Sequence, residues 1–270
     1  MNLTSLSRRG AIAAASVSLT ACAAGVHGNA MKVAPTDFVL VHGAWHGAWC
    51  WRRVSDRLIA AGHRVWVPTL TGLSDRAHLM SPSVDLQTHI QDVARLVQWE
   101  DLDSIVLVGH SYGGMVVSGA TEVLGTRVRS LVFLDAFVPN AGESVVTISG
   151  AETEERLKKA AASSNGLSLP AYPAKAFGIS DSDALWVDSK MTAQPFKTFT
   201  GSLASVAARD RVHRKTYIRA AKFPSPAFDG YARRYAGQPG WTVATWQVGH
   251  DLMITKVEET TTVLLDAARV

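Results

Sequence analysis

The chemistry of this 270-residue chain centres on Ser111, in the run Gly109-His110-Ser111-Tyr112-Gly113. The β-branched apolar stretch Ile105-Val106-Leu107-Val108 precedes it, and an apolar segment of helical length follows. Strand, sharp turn and helix in that order make a nucleophile elbow, which lifts one serine hydroxyl above the end of a sheet. Glycines flank such a serine because the strand and helix backbones approach where a Cβ would collide. A serine hydroxyl is a weak nucleophile unless a base takes its proton and donors hold the developing oxyanion. His250, in Val248-Gly249-His250-Asp251, follows the last predicted strand and precedes the terminal helix. That is the place of the base when the nucleophile comes first in the chain and the histidine last. The turn Val41-His42-Gly43-Ala44-Trp45 follows the first strand and exposes backbone N–H groups. The N–H groups of Ala44 and of Tyr112, the residue after the serine, are the expected oxyanion donors. His42 and His110 read as structural, and His63, His78, His89 and His213 carry no motif.

The elements that must position these groups alternate. Continuous apolar runs at 37–41, 64–67, 104–108, 129–134, 215–219 and 241–246 predict strands, most of them buried on both faces. Between them, 49–61 has helical spacing, and Ser83 or Asp85 can cap a helix whose Leu86, Ile90, Val93 and Val97 share one face. Residues 256–268 predict a terminal helix. Such alternation implies α/β architecture: a mainly parallel sheet with helices on both faces. Residues 142–212 break the rhythm with helical segments and a Ser/Asn/Gly/Pro-rich loop, and read as an inserted lid without a sheet strand.

A composition of 47% hydrophobic and 19% charged residues suits a domain with a full core. The net charge of +4 comes without any run of Lys or Arg, so no nucleic-acid footprint is indicated. Cys22 and Cys50 form neither a disulfide framework nor a zinc-type cluster, and no metal is expected. Residues 1–30 carry Arg8-Arg9 and then a short apolar stretch, the pattern of a twin-arginine export signal. Leu19-Thr20-Ala21-Cys22 resembles a lipobox, which would anchor the chain to the envelope through Cys22. Gly28-Asn29-Ala30 offers cleavage to a soluble periplasmic form instead, and a start at Met31 would leave the protein cytoplasmic. The folded domain is expected over 35–270.

Three stretches carry a family resemblance: the first runs from Phe38 to Trp51, the second from Pro68 to Leu79, and the third is Gly109-His110-Ser111-Tyr112-Gly113-Gly114. They resemble the α/β-hydrolase superfamily, in the esterase branch that holds plant methylesterases, salicylate-binding esterases and hydroxynitrile lyases. The likeness runs from Thr36 to the C-terminus and is weakest in the lid. It implies a lidded serine carboxylesterase without a cofactor, with Ser111 as nucleophile, His250 as base and Ala44 and Tyr112 as oxyanion donors.

Two departures from that pattern matter. In the lyases a hydroxyl residue follows the first histidine and a lysine follows the catalytic one; here Gly43 and Asp251 stand there, which disfavours a lyase. The family usually places its acid just after the penultimate strand, where this chain reads Arg219-Ala220-Ala221-Lys222-Phe223-Pro224. Two carboxylates could replace it. Asp135 ends the strand next to the elbow helix, and Asp229 lies further along the usual loop; Asp135 is favoured, because a triad is defined by geometry. Trp45, His46 and Phe137 flank the expected site, with Trp186 in the lid. Such aromatic residues suit a small ester with an aryl or alkyl body, and no Arg or Lys is expected to face it. A lyase, C–C hydrolase or lactonase on the same scaffold, and a ligand-binding protein with little turnover, are the alternatives.

Overall fold

Strand and helix alternate strictly through the first half of the chain in a computed structural model that describes residues 34–269. The order is β1 (Asp37–Val41), α1 (Arg52–Ala60), β2 (Arg64–Trp66), α2 (Leu86–Trp99), β3 (Ile105–His110), α3 (Gly113–Leu124) and β4 (Val128–Leu134). An insertion follows, with α4 (Val145–Ser149), α5 (Ala151–Ala162), β5 (Ser168–Leu169), α6 (Ala184–Lys190), β6 (Gln194–Pro195), α7 (Lys197–Thr200) and α8 (Ala207–Arg211). The alternation then resumes with β7 (Arg214–Ala220), α9 (Pro226–Tyr235), β8 (Trp241–Trp246), α10 (Leu252–Thr255) and α11 (Val257–Ala268). The main sheet has the order β2-β1-β3-β4-β7-β8, and every pairing in it is parallel.

β1 and β3 are buried throughout, as their unbroken apolar sequences require of central strands covered on both faces. Successive side chains divide between two cores. Val39, Val41, Leu107 and Phe133 pack with α2 and α3, whereas Phe38, Leu40, Val108 and Leu134 pack with α1 and α11. Asp85 caps α2, accepting from the Thr88 amide at 2.9 Å while the Thr88 hydroxyl receives the Asp85 amide.

The order of the sheet decides where a ligand can sit. From β1 the chain moves outward to β2, then returns to add β3 on the other side of β1. Loops leaving the carboxyl ends of β1 and β3 therefore diverge and open a crevice, the usual ligand position in open parallel sheets. The Ala44 turn and Ser111 leave those two ends. The insertion adds no strand to the main sheet, although it contains its own two-residue antiparallel pair, β5–β6, which the sequence did not suggest. Hydrogen bonds tie it to the loops at the sheet end, among them Thr192 N–H to the Trp45 carbonyl (3.0 Å), Trp45 N–H to Gln194 Oε1 (3.1 Å) and His250 N–H to the Phe177 carbonyl (2.8 Å).

The expected export signal at 1–30, with Cys22, and the alternative start at Met31 lie outside the described residues. Among the described residues, no helix is long and apolar enough to cross a membrane.

Candidate active site

Three non-glycine residues beyond the ends of β1, β3 and β4 have left-handed backbone: Trp45 (φ 64°), Ser111 (φ 52°) and Asp135 (φ 44°). Each such residue costs on the order of 1–3 kcal/mol and persists only where its surroundings dictate it. Here they do. The Ser111 amide donates to the Leu134 carbonyl (3.2 Å), and the Ser111 carbonyl accepts from Gly114 (3.0 Å) and Phe137 (3.1 Å). The Asp135 amide donates to Ile218 O (2.7 Å), and the Trp45 amide to the buried Gln194 Oε1 (3.1 Å). The elbow glycines are steric necessities. A Cβ on Gly109 would stand 2.8 Å from the Gly113 carbonyl oxygen, and one on Gly114 would stand 2.1 Å from that of Phe137.

His250 and Asp135 meet directly. His250 Nδ1 lies 2.6 Å from Asp135 Oδ2, and both residues are buried. The other carboxylate oxygen of Asp135 accepts from the Ala220 amide (2.9 Å) and from Arg219 Nη1 (2.8 Å). Phe223 stacks on the His250 imidazole at a centroid distance of 4.1 Å, with Phe177 and Phe228 further out. Asp229, the other candidate acid, is placed elsewhere: its Oδ1 accepts from Arg219 Nε at 2.7 Å, and its side chain is 47% exposed.

A second buried histidine–carboxylate pair adjoins the first. His46 Nε2 lies 3.1 Å from Asp251 Oδ2, and His46 Nδ1 lies 2.7 Å from the Ala44 carbonyl. Both acceptors lack hydrogens, so both ring nitrogens of His46 donate and the ring carries a charge. Burial opposes that charge, yet the attraction and hydrogen bond of Asp251 raise the His46 pKa above its ordinary value. Asp251, for its part, is held below the usual carboxylate range, since His46 beside it outweighs the burial that would raise it. His42, at the root of the Ala44 turn, is the opposite case. Burial pushes its pKa down to about 3, and the neutral ring accepts from the Leu70 amide (3.0 Å) and donates to the Gly43 carbonyl (2.8 Å). Among the described residues, His110, His250 and Asp251 bring ligand-type atoms within 4.8 Å of one another. His250 Nδ1 is bonded to Asp135 and Asp251 Oδ2 to His46, whereas Asp251 Oδ1 and His110 Nδ1 have no hydrogen-bond partner among the described residues.

Ser111 and His250 line one cavity of about 300 Å³, together with Ala44, Trp45, Tyr112 and Phe137. Among the described residues, neither the Ala44 nor the Tyr112 amide donates to another protein group. The Tyr112 side chain turns into the core, where its hydroxyl lies 2.9 Å from His89 Nδ1.

Two expected pocket residues are misplaced by the sequence reading. His46 lies sealed at 1% exposure, stacked on Trp49 and bonded to Asp251, and does not line the cavity. Trp186 packs edge-on against Trp49 (5.1 Å) and under the Arg53 guanidinium (5.4 Å), also away from the cavity. Other residues take their place, among them Phe177, Phe199, Phe223 and Phe228. Arg156 of α5 also lines the cavity, donating to the Tyr172 hydroxyl at 2.8 Å, against the expectation that no cation faces it. The helical pattern of 152–162 shows that a helix is present but not which side meets the crevice. Phe223 and Phe228 carried a signal, standing in the short loop and helix start after the penultimate strand.

Residues 38–262 match the Alpha/beta hydrolase family. The chain belongs to that family, and within it is a carboxylic-ester hydrolase. It is 39% identical over 232 residues to a carbendazim hydrolyzing esterase of Nocardioides sp. (strain SG-4G), a match covering 83% of this chain and 96% of the relative. It is 35% identical over 118 residues to methylesterase 1 of Arabidopsis thaliana, spanning 40% of this chain and 41% of that protein. Among solved structures, an extracellular α/β-hydrolase from a Paenibacillus species superposes with a TM-score of 0.75 at 22% identity, covering 87% of this chain and all of the other. Tomato methylketone synthase I complexed with 2-tridecanone gives 0.73 at 19% identity, over 87% and 98% of the two chains. At these identities the structural likeness concerns the fold.

Proposed function

We propose that the protein hydrolyses a small, largely apolar carboxylic ester through an acyl-enzyme on Ser111, with His250 as base, Asp135 as acid and the Ala44 and Tyr112 amides as oxyanion donors. The observation that carries this reading is the 2.6 Å contact of Asp135 with His250 Nδ1, beside a cavity that His250 shares with Ser111. Holding Nδ1 commits the ring to the tautomer whose Nε2 accepts a proton. Nε2 takes the Ser111 proton as Oγ bonds to the ester carbon, and the two amides hold the resulting oxyanion. Collapse expels the alcohol, which receives that proton from the imidazolium. Water, deprotonated by the same imidazole, then releases the acid and restores Ser111.

The phenylalanine-rich walls favour an aryl or short alkyl body over a polar one, and Arg156 with Tyr172 supplies hydrogen-bonding groups. Asp251 stands where a lyase would carry lysine, and it is sealed against His46 away from the cavity, so no lysine stands there to receive a leaving cyanide. The test is a panel of 4-nitrophenyl esters from acetate to laurate, aryl methyl esters and carbendazim, with Ser111→Ala as blank. Turnover of the short and aryl esters that vanishes in the blank is expected. Cyanide release from mandelonitrile without any ester hydrolysis would overturn the reading.

A further inference from the structure

The acid of the site is not alone in its pocket. Arg219, at the end of β7 and only 2% exposed, reaches four acceptors at once. Its Nη1 donates to Asp135 Oδ1 (2.8 Å) and to the Ala220 carbonyl (2.5 Å), its Nη2 to the Phe223 carbonyl (2.6 Å), and its Nε to Asp229 Oδ1 (2.7 Å). Phe223 is the residue whose ring stacks on His250. One guanidinium thus grips the carboxylate that faces the imidazole, the loop that covers the imidazole, and a half-exposed carboxylate on α9.

We propose that Arg219 is a positioning residue for the His250–Asp135 pair. It fixes the carboxylate and the Phe223 loop against the imidazole, and its charge offsets that of Asp135. This rests on the reading of Asp135 as the acid. A carboxylate beside an imidazole favours the imidazolium, and a cation beyond the carboxylate opposes it. Asp229 draws on the same cation from the other side and so weakens the offset. The other titratable or charged groups around His250 are His110 on β3, with ring centroids 4.5 Å apart, Asp251 in its own loop, His46 behind Asp251, and Tyr217 on β7, which donates to the Ala136 carbonyl. Arg156 lies on the cavity wall. Of these, only Arg219 is a permanent cation bonded to the acid.

The test is the pH profile of kcat/KM for 4-nitrophenyl acetate in four variants. In Arg219→Met the acid limb should move to higher pH by about one unit, since removing a charge at this range moves a neighbouring group by that order. The plateau should also fall, by roughly tenfold or more, as the Phe223 loop loosens. Arg219→Lys restores a cation but not the fork that reaches Phe223, so its limb should return to within about 0.3 unit of wild type while the plateau stays low. Asp229→Asn, altering a half-exposed residue, should move the limb the opposite way, to lower pH by a few tenths. It keeps the proposal open to refutation should Arg219→Met fail to fold. A limb unmoved in Arg219→Met, or in Asp229→Asn where only that variant folds, overturns the proposal. Asp135→Asn is the control for the underlying reading. Wild-type turnover there removes Asp135 as the acid, whereas collapse there with an unmoved limb in the Arg219 variants removes only the role of Arg219.

Discussion

Two buried histidine–aspartate pairs meet at adjacent residues of one loop, and they have opposite fates. His250 pairs with Asp135 at 2.6 Å, and His250 lines the cavity. Asp251, the next residue, pairs with His46 at 3.1 Å, and both are sealed. The difference lies in what else each group touches. Asp135 has Arg219 on its other oxygen, so its charge is already met, and His250 commits one ring nitrogen to it. His46 spends its second nitrogen on the Ala44 carbonyl and stays charged, its pKa raised by Asp251 despite burial. One pair has a nitrogen left for chemistry. The other is a bolt between the Ala44 turn and the loop that holds His250 and Asp251. The same two residue types give a pair open to the cavity, the proposed base and acid, or a sealed brace, according to the third partner.

That contrast can be broken experimentally, beginning with the largest effect. Ser111→Ala and His250→Ala should each lower kcat for ester hydrolysis by on the order of 10⁵–10⁶ without a large change in melting temperature, as is usual for members of a nucleophile–base unit. Asp135→Asn should cost about 10⁴ in kcat, while Asp229→Asn, altering a half-exposed ion pair, should stay within about fivefold of wild type. Steady-state kinetics on the two variants side by side checks this. His46→Ala should reverse the emphasis. It strands Asp251 as a buried charge, so chemical denaturation should show a stability loss of about 3–5 kcal/mol. The folded fraction should retain far more activity than Asp135→Asn.

The smallest effect is the pH dependence of stability, where the two kinds of buried histidine oppose each other. His42 and His89, with pKa values pushed down by burial to about 3 and about 4, are neutral in the folded protein. Unfolded, they bind protons below their ordinary value of 6.5, so the stability they confer is lost as pH falls from there towards 4. His46 has a raised pKa, so its contribution is fully present below 6.5 and is lost as pH rises through its folded value. Burial also pushes down the pKa values of His110 and His63, so the depressed histidines govern the acid side. The melting temperature should therefore drop between pH 6.5 and 4, and the His46 contribution, lost only as pH rises above that window, should not reverse the drop.

Much of this was legible in the sequence wherever the signal is local. The elbow at Ser111, the turn at Ala44 and the six strands of the main sheet follow from contiguous patterns, because elbow, turn and strand are each built from neighbouring residues. His250 followed from chain order. Asp135 was one of two candidates, because its contact with His250 spans 115 residues and depends on which strand ends lie side by side. Arg219 gave no signal, since its meaning as partner of the acid arises only when β7 pairs with β4. His46 and Trp186 were misplaced for a related reason. The left-handed turn at Trp45 redirects the chain before His46, and helical spacing in the lid could not tell that Trp186 would pack on Trp49. Neighbours in sequence reveal an element, whereas the face it presents is settled by packing.

The central claim is that Ser111 is a nucleophile activated through His250 by Asp135. Its most direct test is intact-protein mass spectrometry after exposure to a fluorophosphonate, with the wild type, Ser111→Ala, Asp135→Asn and Asp229→Asn in parallel. The account predicts one phosphonyl adduct on the Ser111 peptide of the wild type and none in Ser111→Ala. Labelling should be slowed by orders of magnitude in Asp135→Asn and near normal in Asp229→Asn. An unlabelled wild type, or labelling that Asp135→Asn leaves at full speed, would contradict it.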